Sequence, residues 1–234
     1  MARIQLQTLA FGLQRTWLTL AQRLELFDLV CCSCNTASGI MMTDMSSARK
    51  AMIDSQLRTS GVNEPFVLAR MGSVAREDFV PEGARSTAYI DRAVSLGNGQ
   101  YLAAPLVHGK MLAEARPSKD DSVLVVESGS GYLAELVKPL VAKLDTKSAE
   151  DIAGSKSARK TYSLILVDGA IETLPDGVAK RLEENGRIIT GLAERGVTRL
   201  ATGRKIAGQV TLQPVADIGI PILHAFDRPK EWSF

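Results

Sequence analysis

One stretch, Val123-Leu-Val-Val-Glu-Ser-Gly-Ser-Gly-Tyr132, constrains the fold of this chain more than any other. Consecutive apolar residues suit a parallel strand covered on both faces, and Gly129 and Gly131 permit the sharp turn that lets a ligand approach backbone amides. A helix predicted over Leu133–Lys143 aims its N-terminal amides at that turn. Strand, glycine turn and helix in this order form the crevice where doubly wound sheets bind nucleotide-like ligands.

The flanking pattern supplies the other elements. Ala48, Met52, Ile53 and Leu57 predict a helix ending near Gly61, and Glu64–Met71 a second. Gly97-Asn-Gly99 is a turn by its chemistry, and Ala104-Pro105 starts a helix reaching Ala115. Leu164-Ile-Leu-Val-Asp168 is the next buried strand, followed by Gly169. Val178–Glu184 reads as a helix stopped at Asn185-Gly186, and Arg187–Thr190 as a strand. Val197–Ile206 and Gln209–Ala216 read as an antiparallel pair turning at Ala207-Gly208, with Ile220–Leu223 as a last short strand. The polar stretch Leu144–Ser163 has no room for two further strands with their helices.

Leu6, Leu9, Leu13, Trp17, Leu20, Leu24 and Phe27 line one face of an amphipathic helix near the N-terminus. They are either a partner-binding or membrane-surface helix or an upstream extension, since Met41, Met42 and Met45 offer starts before the globular pattern. The division expected is an N-terminal extension over 1–44, a helical substrate-side region over 45–117 and a Rossmann-like core over 118–234. The net charge of +2 argues for neither nucleic acid nor membrane as a partner. Cys31, Cys32 and Cys34 have no histidine near them, so no metal site is expected, and the compartment reads as reducing and cytoplasmic.

Several separate motifs together resemble one family. Met52-Ile-Asp-Ser-Gln-Leu57, Gly61-Val62, Val74-Ala-Arg-Glu-Asp-Phe-Val-Pro81, Ala88-Tyr-Ile-Asp91, Gly97-Asn-Gly-Gln100 and Pro105 follow, in order and spacing, the N-terminal half of the protein-L-isoaspartate O-methyltransferases. Val123–Tyr132 falls on that family's first cofactor motif, and Leu164–Ala170 on its fourth strand. The resemblance implies an α/β class I methyltransferase sheet, mostly parallel with an antiparallel edge pair. It also implies S-adenosyl-L-methionine as cofactor and isoaspartyl-containing proteins or peptides as substrates, methylated on a carboxylate as the first step of protein repair. A carboxylate is already a nucleophile at neutral pH, so such a site mainly aligns it and excludes water.

On the same resemblance, Glu127, Ser128, Gly129, Ser130, Gly131, Asp168 and Gly169 are the expected cofactor-binding positions, Tyr101 is the candidate to substitute for the lost serine hydroxyl, and Asp91 either caps a turn or lines the substrate cleft. Four departures stand out. Ala103 occupies the position of the family serine whose hydroxyl contacts the substrate carboxylate, and an alanine methyl donates no hydrogen bond. Glu127 stands where the family has an earlier glycine, which places a carboxylate either beside the cofactor's own or out in solvent at the strand end. The short interval after the helix removes the second strand, whose terminal acid holds the ribose hydroxyls, and the third strand with its adenine-side loop. Asp145, Glu150 and Asp151 are the acids left to replace the first of these. The functions implied are isoaspartyl methyl transfer, reduced or lost, and, as an alternative, a non-catalytic peptide- or protein-binding module. An imperfect reading frame over 1–45 and 140–162 would account for the N-terminal extension and the short interval.

Overall fold

The chain builds a central sheet of parallel strands extended by an antiparallel pair. A computed structural model describes residues 37–155 and 160–227, so the amphipathic stretch and the three cysteines lie outside the described residues. The strands are β1 (Val94–Gly97), β2 (Gln100–Leu102), β3 (Ser122–Glu127), β4 (Lys143–Ser148), β5 (Tyr162–Ile171), β6 (Leu182–Glu194), β7 (Val197–Ile206) and β8 (Gln209–Asp217). The helices are α1 (Ala37–Met52), α2 (Pro65–Ser73), α3 (Pro105–Ala115), α4 (Tyr132–Val137), α5 (Ala149–Ala153) and α6 (Asp176–Ala179). The main sheet runs β4-β3-β5-β6-β7-β8, with β4, β3, β5 and β6 parallel and β7 and β8 antiparallel, while β1 and β2 form a separate hairpin.

Strand alternation divides the core into two layers. Val123, Val125, Leu164 and Leu166 point to one face and pack with residues of α3 and α4 and with Met52, Leu57 and Met71. Leu124, Val126, Ile165 and Val167 point to the other and pack with Ile152, Val178 and Phe226. Both faces of the central strands are therefore covered, as their unbroken apolar run requires.

The first helix continues through a π-helical turn at Ile53–Leu57 and ends where Gly61 adopts a left-handed φ of 84°. The β1–β2 turn also needs left-handed backbone, at Asn98 and Gly99, which explains its Gly-Asn-Gly sequence. The predicted antiparallel pair is present with its turn at Ala207-Gly208, and Ile222 bridges in parallel to Ala170.

Three expectations need correction. The second strand is present: β4 pairs in parallel with β3 along its whole length, from Ser122 opposite Lys143 to Glu127 opposite Ser148. Its sequence, Lys-Leu-Asp-Thr-Lys-Ser, reads as a loop because β4 is an edge strand and only its apolar minority meets the core. Among the described residues the sheet ends there. The helix expected over Leu133–Lys143 instead runs Tyr132–Val137, and Pro139, lacking an N–H, turns the chain through a 3₁₀ turn at Lys138–Leu140, so that residues 128–142 hold one short crossover. Ser148 then caps α5, its Oγ accepting from the Asp151 N–H at 3.0 Å. Finally, the helix expected over Val178–Glu184 shrinks to α6, and β6 begins at Leu182, passing Asn185 in left-handed backbone with a break in register between Leu182 and Arg187.

Asp121 pins the amino ends of the strands. Its carboxylate accepts from Ser118 N–H at 2.9 Å, Ser163 Oγ at 2.8 Å and Arg187 Nη2 at 2.9 Å. Burial alone would raise its pKa, and these partners more than offset that. The opposite, carboxyl edge is free to carry a site.

Candidate active site

At the carboxyl edge of β3 the chain turns through Ser128–Gly131, with Gly129 at φ 102° and Gly131 at φ 72°. Only glycine takes such backbone without strain. A Cβ on Gly129 would lie 2.5 Å from the Gln100 side-chain amide, so Gln100 lies directly against the turn. The Glu127 side chain folds back on the same turn: Gly131 N–H donates to its Oε2 at 3.0 Å. Its other oxygen, Oε1, is buried without a hydrogen-bond partner among the described residues. Burial, together with the nearby Asp168 carboxylate, pushes the Glu127 pKa up to about 7, against a smaller opposing effect of the Gly131 bond.

Beneath the turn lies a buried polar chain. Asp168, 1% exposed at the end of the central apolar run of β5, accepts from Ser128 Oγ at 2.8 Å and Ser130 Oγ at 3.4 Å through Oδ2. Its Oδ1 lies 3.0 Å from His108 Nε2, and Arg76 Nη1 lies 3.3 Å from His108 Nδ1. Arginine only donates, so Nδ1 must accept, and the imidazole is the neutral tautomer that donates its Nε2 proton to Asp168. Arg76, with no exposed surface, also donates to the carbonyls of Ala88, at 2.7 Å, and Ala103, and its guanidinium lies 5.1 Å from the Tyr132 ring centroid. Burial works against the Asp168 carboxylate, but His108, Ser128 and Arg76 together hold it below the usual carboxylate range. Burial lowers the Arg76 pKa, with Tyr132 and Asp168 opposing. The chain thus links the backbone at Ala103 to the glycine turn.

Two cavities open at this edge. The smaller, of about 210 Å³, is lined by Gln100, Tyr101, Glu127, Gly129, Glu150 and His224 among others. The larger, of about 630 Å³, is lined by Asp91, Tyr101, Ala104, Thr198, Ile220 and His224 among others. Tyr101, 41% exposed, belongs to both, as does His224, whose Nδ1 lies 2.9 Å from Asp227. Asp91 follows a segment fixed at Tyr89, whose carbonyl accepts from Gln56 Nε2 at 2.8 Å and whose hydroxyl accepts from Arg49 Nε at 2.7 Å.

The structure therefore brings Glu127, Ser128 and Gly129 of the expected donor side to the small cavity, and Asp91 and Tyr101 to the large one. It does not bring Ser130, Gly131, Asp168 or Gly169 there. Asp168 is beneath the turn, and Gly169 is covered by Leu223, whose Cγ would sit 2.5 Å from a Cβ at that position. Ala103 is 2% exposed. Of the three acids considered, Glu150 lines the small cavity, just past the end of β4. Asp145 is instead bound to Lys160 and, at 2.7 Å, to the Tyr162 hydroxyl. Sequence reasoning did not single out Arg76 or His108. Nothing local distinguishes Arg76 from Glu77 and Asp78 beside it, and the one signal at His108 is its place in a mostly apolar helix.

A mostly parallel sheet with a glycine turn at its carboxyl edge and an antiparallel pair at one side defines a class I methyltransferase fold. Solved structures agree: a protein-L-isoaspartate O-methyltransferase from Plasmodium falciparum in complex with S-adenosyl-L-homocysteine matches with a TM-score of 0.56 at 19% identity, over 77% of this chain and 98% of that one. A second protein-L-isoaspartate O-methyltransferase matches with a TM-score of 0.59 at 16% identity, over 75% of this chain and 65% of that one. The sequence profile of the Protein-L-isoaspartate(D-aspartate) O-methyltransferase family matches residues 47–154. The protein-L-isoaspartate O-methyltransferase of Desulfosudis oleivorans is 36% identical over 177 residues, 65% of this chain and 80% of the relative. That of Methanospirillum hungatei is 25% identical over 216 residues, 82% of this chain and 100% of the relative. This chain belongs to the protein-L-isoaspartate O-methyltransferase family, whose methyl donor is of the S-adenosyl-L-methionine type. Among the described residues no helix is long and apolar enough to cross a membrane.

The donor does not fit the turn in this conformation. The Gly131 amide is taken by Glu127, Gln100 lies against Gly129, and about 210 Å³ is below the roughly 300–1,000 Å³ of pockets for ligands of this size.

Proposed function

We propose that this protein recognises isoaspartyl-containing polypeptides and that its capacity for methyl transfer to their carboxylates is far below that of its family. The observation carrying the recognition half is the cleft of about 630 Å³ between the β1–β2 hairpin and residues 218–224, which offers apolar wall and the polar edges of Asp91, Tyr101 and His224 to an extended peptide. Two features support the loss of rate. Ala103 supplies no hydroxyl to orient the acceptor carboxylate, and the turn is obstructed by Glu127. The obstruction also favours the second reading, a non-catalytic peptide-binding module.

Titrating an isoaspartyl peptide against its aspartyl twin tests recognition: the isoaspartyl form is expected to bind at least ~10-fold more tightly, a difference of about 1.4 kcal/mol. Equal affinities would remove the reading. Methyl transfer to the same peptides separates residual activity from the non-catalytic case. In a Glu127→Gly background, Ala103→Ser is expected to raise the methylation rate about tenfold, the effect of one hydrogen bond to a charged acceptor. An unchanged rate would show that position 103 does not face the substrate.

A further inference from the structure

We propose that Glu127 sets the ligand class of the small cavity: its carboxylate stands in for that of an amino-acid-bearing nucleoside, so the cavity takes a thionucleoside lacking a carboxylate. The proposal rests on the reading of the glycine turn as the donor-side wall and is independent of the peptide cleft.

The geometry carries this in three steps. A free carboxylate ligand at a glycine turn is held by backbone N–H groups. Here the Gly131 N–H already donates to Glu127 Oε2 at 3.0 Å, within the same chain, so an incoming carboxylate competes with an acceptor of very high effective concentration. A ligand carboxylate would also approach the carboxyl groups of Glu127, Glu150 on the same cavity and Asp168 under the turn, none of which offers it a counter-charge. Arg76, at the other end of the buried polar chain, is held by His108 and the carbonyls of Ala88 and Ala103.

Volume points the same way. A cavity of about 210 Å³ favours the shorter of the two nucleosides, and the arm is the part whose place Glu127 and Gln100 fill. A nucleoside without that arm asks nothing of the Gly131 amide. Tyr101 and the Pro221–Leu223 segment give it apolar wall, and Glu150 can accept from its hydroxyls.

The test is calorimetric titration of the full chain with two probes, S-adenosyl-L-homocysteine and 5′-deoxy-5′-methylthioadenosine, which share the thionucleoside and differ in the amino-acid arm. The unmodified protein is expected to bind methylthioadenosine at least ~10-fold more tightly than homocysteine nucleoside. Glu127→Gly should reverse the preference, tightening S-adenosyl-L-homocysteine at least ~30-fold and changing methylthioadenosine by less than about threefold. Because glycine loosens a strand end, Glu127→Gln serves as a second variant: it keeps an acceptor for Gly131, loses the charge, and should shift the ratio by about tenfold in the same direction. Tighter binding of S-adenosyl-L-homocysteine to the unmodified protein, or a ratio unmoved by both variants, overturns the proposal, as does absence of binding by both probes to all three proteins. Failure of the peptide titration with these ratios intact would count against the proposed function alone.

Discussion

Asp168→Ala is expected to lower the unfolding free energy by about 3–5 kcal/mol, the cost of removing one partner from a buried charge network. The loss has identifiable parts. His108 Nε2–H is left in the core with no acceptor, Ser128 Oγ loses its 2.8 Å partner, and Arg76, which has no exposed surface, loses the carboxylate whose field reaches it through the imidazole. For a chain of this size the change corresponds to a fall in Tm of roughly 10 °C, readable by calorimetry or urea unfolding. Asp168→Asn should cost less, since its amide oxygen can still accept from His108. If Asp168→Ala costs less than about 1 kcal/mol, the network does not hold the turn. The same pair of variants reports on the site, because Ser128 and Ser130 fix the backbone that Glu127 caps.

How much of this was legible in the sequence depends on the kind of interaction. The β3–turn–α4 unit and the antiparallel pair follow from local signals, an apolar run meeting paired glycines and two alternating stretches meeting at Ala207-Gly208. β4 was not legible, because an edge strand facing solvent along one side needs few apolar residues, and Lys143, Asp145 and Lys147 read as loop. Nor was the buried chain. Arg76, His108 and Asp168 are separated by 32 and 60 residues along the sequence, and nothing local says which charged residue of Val74-Ala-Arg-Glu-Asp-Phe-Val turns inward. At Glu127 the substitution itself was visible, and its orientation was not. Of the two sequence-based alternatives, a carboxylate beside the cofactor's own or one in solvent, the fold disfavours the second, since the side chain folds back onto the Gly131 N–H with its other oxygen buried.

Glu127 should also leave a pH signature in stability, and this follows from its pKa of about 7 against an ordinary value of 4.5. Below pH 4.5 both folded and unfolded chains hold the proton, so the group favours neither. Between 4.5 and about 7 the unfolded chain releases it while the fold retains it, and stability falls as pH rises. Above about 7 the folded carboxylate ionises beside Asp168, and the penalty is complete at roughly 2–3 kcal/mol. Glu127→Gln carries no titrating group and still offers an oxygen to Gly131, so it should match the unmodified protein near pH 5 and exceed it by about 2 kcal/mol at pH 8. Urea unfolding at the two pH values measures the difference, and subtracting one protein from the other cancels the titration of every other group. A constant offset between the two proteins across that range would mean that Glu127 ionises in the fold as it does in the unfolded chain. A carboxyl group that occupies a backbone amide is a poor element of a turn that must receive a ligand's carboxylate. Its signature in stability and its effect on ligand preference have one origin, the position of Glu127 over the amide of Gly131.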